Sequence, residues 1–258
     1  MAEGEPMMIR NVVPPKDRDS LQFRSAPEYV ANPRHSELPV RVASLPYAQK
    51  FGVLNEAMSL RDFYDIFIVA NKSHPEAAAG HQAGEAAARH DRKPYVFQWA
   101  PKACSEGFEM IVNFFDEALR MEGPESLLCD PKINGLGLNT MHFYMGNTGS
   151  GAPSHVHSDA VNLALSGAKQ WRVVPPRDAH FSKKSVTASG NPAIGVDQLE
   201  CVQRAGDMVY VPFDWGHEVI NLEQAFGYTM ELVNRRDTLM NVVGRSCGDN
   251  DNPAVFGQ

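Results

Sequence analysis

The segment Ser154-His155-Val156-His157-Ser158-Asp159 holds a His-x-Asp pair, and Trp215-Gly216-His217 supplies a further imidazole far along the chain. Two imidazoles and one carboxylate can take one face of an octahedral ion and leave the other open, which suits non-haem Fe(II) binding a co-substrate and O2 together. In an extended strand alternate side chains share a face, so His157 and Asp159 point the same way. His155 shares that face, but in a strand it lies ~13 Å from Asp159, too far for one ion. The spacing therefore favours His157–Asp159 as the pair and leaves His155 a packing or surface role, with His217 closing the site from a distant strand.

A second constellation lies just downstream, in Leu165-Ser166-Gly167-Ala168-Lys169-Gln170-Trp171. If Ser166-Gly167 is a two-residue hairpin loop, Ala164 pairs with Lys169, and Asn162 shares the face of Lys169. A lysine and an asparagine facing the inside of an apolar barrel are costly unless an anion is bound there. Lys169 would supply the charge and Asn162 a neutral hydrogen-bonding group.

These residues need a scaffold of short strands. From Leu138 onward, alternating runs cover Thr140–Met145, His155–Asp159, Val161–Leu165, Lys169–Val174, Met208–Val211, Glu218–Leu222 and Phe226–Val233, broken by glycines and Pro175-Pro176. That pattern predicts a β-sandwich or barrel. Helices should flank it. Ser59 is a candidate N-cap for a helix over Met58–Phe67, and Phe108, Ile111, Val112, Phe115 and Leu119 lie on one face of a helix over Gly107–Leu119. Pro94–Trp99 reads as a strand. Residues 1–45 are rich in proline and charge and read as an irregular, extended arm. The Ala-, Gly- and His-rich stretch from His74 to His90 reads as a solvated insertion whose histidines lack ligand spacing.

The chain has 258 residues, 43% hydrophobic and 21% charged, ordinary values for a globular protein able to bury a full core. Its net charge of −7 argues against a general nucleic-acid surface, which relies on clustered Lys and Arg. The four cysteines (Cys104, Cys129, Cys201, Cys247) include no C-x-x-C pair, which argues against a zinc knuckle or a disulfide framework. No basic leader or bilayer-length apolar run is visible, so the expectation is a protein with no membrane partner, intracellular, cytoplasmic or nuclear.

Taken with Phe143-Tyr144-Met145-Gly146, Val174-Pro175-Pro176, Gly206-Asp207, Val211-Pro212 and Trp215–Leu222, the two constellations resemble the Jumonji C (JmjC) oxygenases, closest to the small JmjC hydroxylases. The likeness runs from about Met58 to Asn234. It implies a mainly β fold with flanking helices, a double-stranded β-helix (jelly-roll or cupin) barrel over 58–234, after an arm at 1–57 and before a tail at 235–258. It also implies Fe(II) held by His157, Asp159 and His217, and 2-oxoglutarate and O2 as co-substrates. Lys169 and Tyr95 would take the distal carboxylate with Ser154 nearby, and Asn162 and Asn234 would be polar positions of the pocket. The implied reaction hydroxylates a substrate, expected to be a protein or peptide side chain, and releases succinate and CO2; no general base is required. N-methyl-lysine or arginine demethylation uses the same iron chemistry, and a non-catalytic cupin-like binding protein is the alternative outside enzymes. Gly216 stands where the family often has a bulky residue, which suggests a looser loop beside the distal histidine.

Overall fold

The computed structural model describes residues 4–13, 25–43, 56–69, 94–99, 136–182 and 197–234. Among them twelve strands form two antiparallel sheets: β1 (Met7–Ile9), β2 (Pro39–Ala43), β3 (Glu56–Ser59), β4 (Tyr95–Trp99), β5 (Leu136–Gly146), β6 (Gly151–His155), β7 (Ala160–Ser166), β8 (Ala168–Val174), β9 (Leu199–Arg204), β10 (Met208–Val211), β11 (Gly216–Asn221) and β12 (Ala225–Asn234). The larger sheet runs β1-β10-β7-β12-β5-β4-β2-β3 and the smaller β6-β11-β8-β9. This is the mainly β class expected from the alternating runs, and its two antiparallel sheets fit the jelly-roll that the resemblance implies.

The larger sheet is covered on both faces, and strand parity sorts its side chains. Phe143, Met145, Leu163, Phe226, Tyr228 and Met230 join an apolar core with residues of the N-terminal elements. The alternate positions Tyr95, Asn162 and Thr229 turn the other way and line a cavity together with Lys169, Trp171 and His217 of the smaller sheet. The cavity therefore lies between the sheets. On the outer side of the smaller sheet, directly paired Arg172 and Glu218 form a buried ion pair at 2.8 Å.

Residues 1–45 depart from the expected irregular arm. β1 pairs with β10, and Arg10 next to it meets Asp207 at 2.7 Å. The helices α1 (Ala26–Ala31) and α2 (Pro33–Ser36) follow, with Tyr29 and Val30 buried in the core. Pro33 starts α2 rather than breaking the chain, because the first helical turn does not need its missing N–H. Ser59 does cap a helix: its Oγ accepts the Asp62 N–H at 3.0 Å. Only Leu60–Phe63 (α3) is α-helical, however, and Tyr64–Val69 continues as a π-helix. The wider winding suits burial of Phe63 and Ile68, five residues apart, on one side. The expected helix over Gly107–Leu119 and the insertion from His74 to His90 lie outside the described residues.

Two further expectations are corrected. β7 and β8 lie in different sheets, so Ala164 does not pair with Lys169; the partners of Lys169 are Asn221 on β11 and Gln203 on β9. Gly167, with φ +79°, turns the chain from one sheet to the other, and a Cβ there would lie 2.1 Å from the carbonyl oxygen of Gln224. The other correction concerns His155–Asp159: β6 ends at His155, and the following residues form a bend before β7.

Candidate active site

Backbone pairing builds the imidazole cluster. His155 and His217 are direct partners across β6 and β11, which sets their rings 4.2 Å apart between centroids. His157, just beyond the strand, brings its ring to 4.6 Å from His217 and 5.4 Å from His155. One nitrogen of each ring lies within 4.8 Å of the others. His155 Nδ1 lies 2.7 Å from the carbonyl oxygen of Pro153, His157 Nδ1 2.6 Å from that of Ser158, and His217 Nδ1 3.1 Å from that of Trp215. A carbonyl only accepts, so each Nδ1 carries a proton, and in the neutral ring Nε2 then holds the lone pair. Tying back the second nitrogen in this way orients a metal-ligating histidine.

Burial keeps the His155 and His217 rings in the neutral, ligand-competent form. It pushes His155 down to about 3, aided by the neighbouring His157, and drives His217 well below the ordinary histidine range. His142, stacked on Phe97 at 4.5 Å, is pushed down to about 4 by burial.

Asp159 is not in this cluster. Its Oδ1 accepts the Tyr210 hydroxyl at 2.5 Å and the Phe213 N–H at 3.4 Å. Burial and the Asp159 carboxylate raise the Tyr210 phenol well above its usual range, so it stays protonated and able to donate. The loop that follows is fixed to His157 by the Asp214 N–H, which donates to the His157 carbonyl at 3.2 Å from a left-handed residue, φ 61°.

Lys169 occupies a different part of the same cavity and is 1% exposed. Its Nζ donates to the Tyr95 hydroxyl at 3.2 Å and sits 3.3 Å from the centroid of the Tyr144 ring. No carboxylate pairs with it among the described residues, and burial drives its pKa well below the ordinary lysine value. Asn162 lines the cavity, donates through Nδ2 to Thr229 Oγ1 at 2.6 Å, and leaves its buried Oδ1 without a partner. Lys169, Tyr95 and Asn162 thus come together as expected, although not through the expected hairpin.

Ser154 does not join them. Its hydroxyl donates to the His180 carbonyl at 2.9 Å, and Ala152 rather than Ser154 lines the cavity. Asn234 ends β12 opposite Leu136, and its side chain lies outside the described residues. Gly216 is not a loose point either: a Cβ there would come within 2.8 Å of Ala179 Cα, so the segment after Pro176–Asp178 fills the space a larger residue would use.

Sequence reasoning missed two supports of the site. Gln203 accepts the Trp171 indole N–H at 2.9 Å and donates to the Asn162 and Asp207 carbonyls, which steadies the ring stacked beside His217. Tyr144 is the second, visible beforehand only as part of a motif. β9, which carries Gln203, falls in none of the alternating runs, and no spacing marks Gln203.

A family model described as the JmjC domain matches residues 126–240. Residues 126–240 are thus similar to a JmjC domain. Its relatives include the Homo sapiens JmjC domain-containing protein 8, 32% identical over 88 residues, covering 31% of this chain and 33% of that protein. They also include the Gallus gallus 2-oxoglutarate and iron-dependent oxygenase JMJD4, 32% identical over 109 residues, 35% of this chain and 26% of the relative. The Arabidopsis thaliana arginine-specific demethylase JMJ20 is 29% identical over 107 residues, 35% of this chain and 23% of the relative. The chain thus spans a third or less of the length of these relatives. The JmjC match takes in both the imidazole cluster and Lys169. Among the described residues no helix is long and apolar enough to cross a membrane.

Proposed function

We propose that this protein is an Fe(II)- and 2-oxoglutarate-dependent oxygenase that hydroxylates a protein side chain. One observation carries the reading: a cavity joins a cluster of three imidazoles to a buried lysine that no carboxylate partners among the described residues. A metal fits the first feature, because three rings present unprotonated nitrogens with their other nitrogens held by carbonyls. A carboxylate of the co-substrate fits the second, since it restores a partner to the Lys169 ammonium.

Bound iron would supply the oxidising chemistry, with O2 and 2-oxoglutarate consumed and succinate and CO2 released. The remaining work belongs to the chain. Lys169 and the Tyr95 hydroxyl orient the distal carboxylate, and Asn162 and Thr229 set the polarity of the wall beside it. Trp171, held by Gln203, packs against His217 and excludes water from that side. The relative named for an iron and 2-oxoglutarate oxygenase supports this co-substrate pair.

The test incubates the protein with Fe(II), ascorbate, 2-oxoglutarate and peptide libraries, and follows succinate together with peptide mass. Succinate formation with a peptide gaining one oxygen is expected, and both should vanish in His217→Ala. Loss of a methylene instead would assign demethylation. No succinate with any peptide, together with no 2-oxoglutarate binding, would refute the reading.

A further inference from the structure

We infer that the metal in this site is held by three imidazoles, those of His155, His157 and His217, with the Asp159 carboxylate outside the ligand set. The inference rests on the oxygenase reading above and departs from the His-x-Asp arrangement that the spacing suggested. Three independent observations carry it.

The first is register. His155 and His217 are direct partners across β6 and β11, so the backbone of two fully buried strands fixes their proximity. The second is the common state of the three rings. Each gives its Nδ1–H to a carbonyl one or two residues away in the chain, which makes Nε2 the donor atom that the neutral ring offers a metal. A packing histidine has no reason to share that arrangement with two neighbours whose nitrogens lie within 4.8 Å. The third is the engagement of Asp159. Because β6 stops at His155, the alternation that would have turned Asp159 towards the ion does not apply. Its Oδ1 instead takes the Tyr210 hydroxyl and the Phe213 N–H, where it anchors the loop leading to His217.

Imidazole donors suit iron as well as copper, nickel and zinc. Three neutral ligands leave the full charge of a divalent ion uncompensated, so the anionic co-substrate has to supply the neutralising charge. Asp159 then acts as a positioning residue: it holds the Tyr210–Phe213 loop and touches no metal.

Co(II) binding tests the inference without any turnover. Cobalt is titrated into the metal-free full-length chain and its visible absorption followed. His155→Gln, His157→Gln and His217→Gln should each weaken affinity by more than about 100-fold, beyond the roughly 10–100-fold effect of losing an outer hydrogen bond to a ligand, whereas Asp159→Asn should stay within about threefold, because Asp159 hydrogen-bonds none of the three imidazoles. A second measurement needs no variant: the cobalt protein should show three strongly shifted, solvent-exchangeable imidazole N–H proton resonances. A His155→Gln affinity within about threefold of wild type, an Asp159→Asn loss as large as those of the histidine variants, or only two such resonances would overturn the three-imidazole set and leave the oxygenase reading standing. No cobalt binding by the wild-type chain would remove both.

Discussion

Lys169→Met should make the empty protein more stable while abolishing its affinity for 2-oxoglutarate. The side chain is buried with no acid beside it among the described residues, and its pKa falls well below the ordinary value of 10.5 through burial. Burying the amine with one hydrogen bond and no opposite charge costs roughly 1–3 kcal/mol. Methionine fills much of the same volume without the amine, so the net gain is about 1–3 kcal/mol. For a protein of this size that is a rise in Tm of roughly 2–12 °C. Because burial lowers the pKa in the folded state, the unfolded chain binds more proton at this lysine, so wild-type stability rises with pH towards 10.5, and Lys169→Met should flatten that slope. Urea unfolding at pH 7 and pH 9, without metal or co-substrate, reads both effects, and calorimetric titration reads the binding. If Lys169→Met is destabilised by more than about 1 kcal/mol, the lysine is a satisfied structural residue and the account of it as an anion anchor fails.

Three other outcomes follow from the packing and charge of the fold. Glu218→Met leaves Arg172 buried with only the half-exposed Glu200 at 3.4 Å as its remaining acidic partner in the described ion pairs, so stability should fall by about 3 kcal/mol, while Arg172→Met/Glu218→Met should recover most of it in urea unfolding. Gly216→Val places a Cβ against Ala179 and Val174, so it should lower stability by about 1–3 kcal/mol and also weaken Co(II) binding through the adjacent His217. For the metal-free protein, His142 at about 4 and His155 at about 3 both lie below the unfolded value of 6.5, so the unfolded chain binds more protons between those limits and stability falls as pH falls. From pH 6.5 to 5 each contributes about 2 kcal/mol, about 4 kcal/mol together, readable as the difference between urea midpoints at pH 7 and pH 5.

Most of the strands were legible because the runs from Thr140 to Val233 alternate and are broken at glycines; the strands observed there overlap those runs, except that β6 ends where the run His155–Asp159 begins and β9 falls in none of them. Lys169 and Asn162 were legible as cavity residues for a reason that outlived the wrong hairpin: parity along each strand holds whichever sheet the strand joins. Which strands pair was not legible, since Gly167 can close a hairpin or turn a corner, and only contact with Gln224 decides. The separation of Asp159 from the imidazole cluster did not emerge for a similar reason. It depended on where β6 stops, and no residue type in His155-Val156-His157-Ser158-Asp159 marks that end. The N-terminal elements escaped because β1 is three residues long and gains its stability from β10 and Asp207, both distant in sequence.

As an oxygenase, the protein must bind a metal and a dicarboxylate together in one cavity. Calorimetric titration of 2-oxoglutarate into the Mn(II)-loaded 258-residue chain measures this. One-to-one binding is expected, and it should disappear when Mn(II) is omitted and in Lys169→Ala. Absence of binding to the Mn(II)-loaded protein, or equal binding by Lys169→Ala, would contradict the oxygenase reading.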